Sequence, residues 1–260
     1  MQEILTFLET LAPRYMKMEW DNVGLLCGRP GREVRRILVA LDPFEDVCRE
    51  AAEWGAELLV THHPLIFQPV RALTDDTSVG RCLLFLAARD MAAINAHTNL
   101  DCAPGGVNDC LAGALGLEET VVLHPSGVDE AGRPWGLLRA GRREPVPLET
   151  FLEQVKKGLG CPGLRYVSGG RPVCRVAVGG GACGDGIRAV FDAGCDTFVT
   201  ADVKYNQFWD ARDLGLNLID AGHFWTEHPV CAALADRLRR QFPQIQVKVS
   251  EHHTDCIKFC

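Results

Sequence analysis

The 260-residue sequence predicts an α/β protein of two lobes built mainly on parallel strands, and three observations carry that prediction. Short apolar runs suited to buried strands alternate with stretches of helical spacing. That rhythm breaks over residues 123–147, where Gly, Pro and charged residues take over, and then resumes. Strand-like runs also end repeatedly in His, Asp or Glu, and the carboxyl ends of strands in an open parallel sheet are where ligands are held. The expected lobes are 1–125 and 126–260, with residues 217–260 returning His223 and Glu227 to the site.

Ile4, Leu5, Leu8, Leu11 and Ala12 recur at helical spacing, and Pro13 stops that helix. Glu19-Trp20-Asp21-Asn22-Val23-Gly24 reads as a structured loop whose side chains bond backbone. Arg36–Asp42 reads as a strand, Glu45–Trp54 as a helix, and the apolar run of Glu57-Leu58-Leu59-Val60-Thr61-His62-His63-Pro64 as a buried strand that ends in the two histidines and the proline. Proline cannot continue the sheet, so both imidazoles can turn toward one crevice. Thr77 is placed to cap a helix reaching Asp90, and Met91–His97 forms the next strand. The Gly and Pro residues after His97-Thr98-Asn99-Leu100-Asp101 predict a loop there.

In the second half, Leu148–Leu159 reads as a helix, with strands near Leu164–Val167 and at Cys174–Val178. The glycines of Gly179-Gly180-Gly181-Ala182-Cys183-Gly184 either hold a phosphate on backbone N–H groups or form a tight turn with close packing. Helix Ile187–Ala193, strand Thr197–Thr200 and a further helix lead to the strand Leu216–Asp220. Phe224-Trp225-Thr226-Glu227-His228 then opens a helix toward Phe242.

The bulk numbers narrow the function. Net charge of -7 argues against nucleic acid as a partner, because such binding depends on a basic footprint. Arg237, Arg239 and Arg240 are expected on a solvated helix face. No apolar run approaches the roughly 20 residues needed to span a bilayer. Twelve scattered cysteines without a C-x-x-C pair suggest reduced, mostly buried thiols and a cytoplasmic protein.

His62 and His63, His97 and Asp101, and His223 and Glu227 form three pairs at strand ends. The last pair is spaced four apart and shares one face of a helical turn. Imidazole nitrogens with carboxylate oxygens suit zinc, iron, manganese or nickel better than calcium. Such a set can hold two divalent ions, with Glu227 as the bridging carboxylate because its longer side chain reaches between them.

The motifs Glu19–Gly24, Thr61-His62-His63-Pro64-Leu65-Ile66-Phe67, His97–Asp101, Gly105-Gly106-Val107-Asn108-Asp109, Thr200-Ala201-Asp202-Val203-Lys204-Tyr205 and Asp220–Glu227 appear in that order. This series resembles the dinuclear-metal family named after a yeast Ngg1-interacting factor, often labelled GTP cyclohydrolase type 2 homologs. The resemblance implies two α/β lobes with a dinuclear site between them, assembled as a toroidal homohexamer. It implies metal ligands at His62, His63, Asp101, His223 and Glu227, and a site-lining or auxiliary role for His97. The family's usual Thr-Gly-Asp stretch ending in His is replaced by Thr200-Ala201-Asp202 and Asn206, and its Ser-Glu pair by Thr226-Glu227.

The leading expectation is a metal-dependent hydrolase. The charge of two divalent ions would exceed that of Asp101 plus Glu227 and lower the pKa of bound water. Its substrate would be a small molecule: a nucleotide opened at the purine imidazole ring, as the family label implies, or a phosphate ester. His97 is then the candidate proton shuttle. The alternatives are a metal-homeostasis protein without turnover and a ring-shaped scaffold for a protein partner.

Overall fold

The computed structural model describes residues 1–260. In chain order the elements are α1 (Gln2–Leu11), β1 (Gly24–Cys27), β2 (Arg36–Ala40), α2 (Glu45–Trp54), β3 (Leu58–Thr61), α3 (Ser78–Ala88), β4 (Ala92–Asn95) and α4 (Thr98–Cys102). Then come α5 (Val107–Ala114), β5 (Glu118–Leu123), β6 (Gly127–Val128), β7 (Pro134–Trp135), β8 (Leu138–Val146), α6 (Leu148–Leu159) and β9 (Arg165–Val167). The chain closes with β10 (Val173–Val178), α7 (Ile187–Asp192), β11 (Thr197–Thr200), α8 (Tyr205–Leu214), β12 (Asn217–Asp220), α9 (His223–Glu227), α10 (Pro229–Gln241) and β13 (Gln246–Val249).

Two compact units result, each discontinuous in sequence: Met1–Leu100 with Cys231–Thr254, and Asp101–Val230 with Asp255–Cys260. The composition change at 123–147 falls inside the second unit, away from this division. Its glycines and prolines make turns between antiparallel strands, β5 with β8 in the large sheet and β6 with β7 in a separate two-stranded ribbon, rather than a linker.

In the first unit the sheet order is β1-β4-β3-β2-β13. Strands β13, β2, β3 and β4 run parallel, and β1 is an antiparallel edge. Successive strand residues point to opposite faces. Leu38, Ala40, Leu59 and Ala93 therefore pack with α2 and α3 residues such as Val47, Ala51, Leu83 and Leu86. Their neighbours Ile37, Val39, Leu58, Val60 and Ile94 are buried on the other face. A strand covered on both sides reads as a continuous apolar run, which is why these strands are visible in sequence. Thr77 caps α3 as expected, its hydroxyl accepting from Gly80 N at 3.0 Å.

The second unit carries a six-stranded sheet of order β5-β8-β10-β11-β12-β9. Only β10, β11 and β12 are mutually parallel. Val176, Val178, Val199 and Ile219 face one core with Phe151 and Val155 of α6. Ala177, Phe198 and Leu218 face the other, with Ile187, Val190 and Ala211. Strand β5 at the sheet edge and its neighbour β8 are masked in the sequence because their polar residues (Glu118, Glu119, Arg142, Arg143) break the alternation expected of half-buried strands.

Candidate metal centre

In the first unit, β3 ends where the two histidines begin, but its pairing with β2 continues. His62 N donates to Ala40 O at 3.3 Å and His63 N to Leu41 O at 2.9 Å. Thr61 Oγ1 also donates to His63 O at 2.7 Å. Backbone ladder bonds thus hold both histidines in place, and Pro64 then ends the run. His62 Nδ1 lies 2.9 Å from Ala96 O. A carbonyl only accepts, so Nδ1 carries the proton and Nε2 keeps its lone pair. His63 Nδ1 lies 2.6 Å from Asp42 Oδ1 and His97 Nδ1 lies 2.8 Å from Asp21 Oδ1. Both carboxylates impose the same tautomer. The three rings sit with centroids 4.9 to 5.5 Å apart, and their candidate donor nitrogens lie within 4.8 Å of one another.

Asp21 explains the Glu19–Gly24 motif. Its carboxylate orients His97 and accepts from Thr98 N at 3.0 Å and Thr98 Oγ1 at 2.5 Å. Burial alone would raise its pKa, but the His97 and Thr98 hydrogen bonds and the His97 charge outweigh that and hold it at about 2. By accepting from Thr98 N, it also caps the five-residue helix α4. This corrects the loop expected over 97–101: a capping carboxylate from a distant segment supplies what the local sequence lacks. Asn22 completes the motif by donating to Ile66 O at 2.8 Å. Burial likewise opposes ionisation of Asp42, yet hydrogen bonds from His253 and His63 and their charges keep its carboxyl well below the usual range.

In the second unit, Asp101 is buried on α4. Asn108 Nδ2 bonds Asp101 O at 3.1 Å, and the enclosed guanidinium of Arg139 bonds Cys102 O and Ala103 O while pairing with Asp109 at 2.7 Å. The rest of this half-set follows Gly222, after which α9 places His223 and Glu227 on one face. His223 Nε2 lies 3.1 Å from Glu227 Oε2, and His223 Nδ1 lies 2.7 Å from Asp202 Oδ2. Carboxylate oxygens of Asp101 and Glu227 lie within 4.8 Å of one another.

The glycine turn serves this carboxylate. A Cβ at Gly181, whose φ is +65°, would stand 2.2 Å from Glu227 Oε1 and 3.2 Å from His223 Cε1. The turn's N–H groups are spent internally: Gly180 N on Asn108 Oδ1, Gly181 N on Thr226 Oγ1 and Cys183 N on Thr200 Oγ1. Of the two sequence readings, tight turn with close packing is the one that fits. Thr226 supplies the hydroxyl that anchors it.

The donor set fits a transition metal. His62, His63 and His97 each donate Nδ1–H to a carbonyl or carboxylate and leave the Nε2 lone pair for a metal, the outer arrangement that metal-ligating histidines use, while the His223 ring is held between Asp202 at Nδ1 and Glu227 at Nε2. The anchoring aspartates Asp21, Asp42 and Asp202 were not singled out from sequence. Asp42 carried a sequence signal, as the last residue of the apolar run expected as a strand, whereas the φ of +50° at Asp202, rare for a residue other than glycine, shows only in the structure. Asn206 is exposed on the first turn of α8.

Fold and donor groups together define a two-unit α/β protein with buried His, Asp and Glu groupings able to hold metal. Residues 1–256 match the model for Duf34/NIF3 (NGG1p interacting factor 3), and the chain belongs to that family. It is 34% identical over 262 residues to a Clostridium perfringens protein named GTP cyclohydrolase 1 type 2 homolog, covering 100% of this chain and 99% of the relative. A Streptomyces coelicolor protein of the same name is 37% identical over 267 residues, covering 98% and 92%. Among solved structures, a Bacillus cereus protein related to NIF3 superposes with a TM-score of 0.93 at 28% identity, over 99% of this chain and 98% of that one. No helix is long and apolar enough to cross a membrane.

Proposed function

We propose that the chain binds two divalent transition-metal ions and acts as a metal-dependent hydrolase on a nucleotide or phosphate ester. The ligands in this reading are His62, His63, Asp101, His223 and Glu227, with Glu227 bridging. The observation that carries it is that His62, His63, His97 and His223 are each pinned at Nδ1 by a carbonyl or carboxylate oxygen. When bound, the ions would supply the positive charge that activates water and stabilises developing negative charge. The chain's own contributions are separate. His97, held by Asp21, is oriented to move a proton at Nε2, and its partial exposure leaves it open to a small molecule. Thr226 and Gly181 fix Glu227 from behind.

The relatives' name, GTP cyclohydrolase 1 type 2 homolog, directs the substrate choice toward purine nucleotides. By the same resemblance the assembly is a homohexamer, which light scattering would test; a stable monomer at micromolar concentration would count against it. The deciding experiment pairs elemental analysis of reconstituted protein with turnover of a nucleotide and phosphate-ester panel. Two metals per chain and metal-dependent turnover are expected. One metal or none removes the dinuclear assignment. Full metal without turnover removes the hydrolase and leaves metal storage or a scaffold.

A further inference from the structure

Asp42 receives a second imidazole besides His63. His253 Nε2 lies 3.0 Å from Asp42 Oδ2, while His63 Nδ1 holds Oδ1 at 2.6 Å. The His253 side chain is 5% exposed, so the contact is enclosed rather than a solvent-facing ion pair. Its position is built with care by the strap after β13. Strand β13 pairs in parallel with β2, and Ser250 N extends the ladder to Val39 O at 2.8 Å. The chain then folds over the buried Glu50 carboxylate, which accepts from Ser250 Oγ at 2.5 Å, Glu251 N at 3.0 Å and His252 N at 3.2 Å. His253 N closes the turn on Ser250 Oγ at 3.1 Å, and Phe44 meets the His253 ring edge-on at 6.2 Å. A carboxylate that donates to nothing must accept from both rings. His63 is therefore held as its Nδ1–H form and His253 donates through Nε2–H.

We propose that His253 is a positioning residue of the metal centre: by holding Asp42 Oδ2 it fixes the carboxylate plane that orients His63, so that His63 Nε2 is presented to the ion. One carboxylate with a single partner can swing about its terminal bond, whereas one tied at both oxygens cannot. The C-terminal strap thereby reaches the metal centre through a side chain that binds no metal. This rests on the assignment of His63 as a ligand.

The test uses full-length protein and zinc. Replacing His253→Phe keeps an aromatic ring against Phe44 but removes the donor, whereas His253→Gln returns an N–H near the Nε2 position. Zinc affinity, measured by chelator competition, should fall about 10-fold or more in the phenylalanine variant, the usual effect of losing an outer-shell partner. Glutamine should restore most of it. Zinc binding by His253→Phe equal to wild type, or no rescue by glutamine, overturns the proposal. Ring ¹⁵N spectra of metal-free wild type give a readout independent of zinc and of variant folding. His63 should appear as a single Nδ1–H tautomer and His253 with a proton on Nε2. A bare Nε2 on His253 overturns the proposal. Wild type that binds no zinc while showing those tautomers would instead remove the metal assignment.

Discussion

The histidines of the two units reach the same end state by different means. In the first unit His62 and His63 extend a buried parallel ladder, and the ring of His62 is pinned by a backbone carbonyl at the end of the neighbouring strand. The ring of His62 thus depends on no other side chain, while that of His63 adds one carboxylate, Asp42, to its backbone ladder. In the second unit His223 sits on a five-residue helix and is pinned by Asp202, a half-exposed carboxylate on a backbone with φ +50°. Glu227 beside it fits only because Gly181 has no side chain. Backbone ladder bonds backed by carboxylates preorganise one half-set; strain and the absence of a Cβ preorganise the other. The second half-set should accordingly be the more fragile to substitutions outside its ligands.

The largest effect expected separates chemistry from binding. His97→Ala should retain most of the metal and lose roughly 10²–10⁴-fold in rate, whereas Glu227→Gln should lose metal and rate together. Equal metal loss in both variants, by elemental analysis, would make His97 a ligand.

Next is the glycine that admits Glu227. Gly181→Ala forces an L-residue into left-handed backbone against a carboxylate, and should cost about 3 kcal/mol of stability as well as metal. Denaturant unfolding of metal-free protein checks the first part. A stability equal to wild type would mean that the close approach to Glu227 is not maintained in solution.

Asp202 sharpens the contrast further. Asp202→Gly should relieve about 1 kcal/mol of backbone strain while weakening metal binding about 10- to 100-fold, so stability and affinity move in opposite directions. Both falling together would mean that Asp202 supports the fold rather than the ring of His223.

The effect confined to the narrowest range of conditions concerns Asp21, a side-chain anchor of the first unit. Its folded pKa of about 2 lies below the ordinary 3.8, so its contribution of about 2 kcal/mol is complete above pH 4 and disappears as pH falls through about 2. Unfolding of wild type and Asp21→Asn across that range should converge at the acid end. A gap that persists unchanged at pH 2 would show that Asp21 acts through packing rather than through its charge.

The strands, the donors at their ends and the family were legible in the sequence because they rest on local pattern. A buried parallel strand is an apolar run wherever it sits, and His62-His63 or His223 with Glu227 is a spacing within a few residues. What surrounds those donors depended on segments far apart in the chain. The capped helix α4 needs Asp21, the ring of His63 needs Asp42, and Asp42 in turn meets His253 on a strap that returns from the C-terminus. The division of units follows the same logic, since β13 belongs with β2 only through ladder bonds that no local window contains. Periodicity is a property of neighbours in sequence and survives in the unfolded chain. A hydrogen-bond partner is a property of neighbours in space, so only the tertiary structure decided which nitrogen of each of these histidines is tied to an oxygen acceptor.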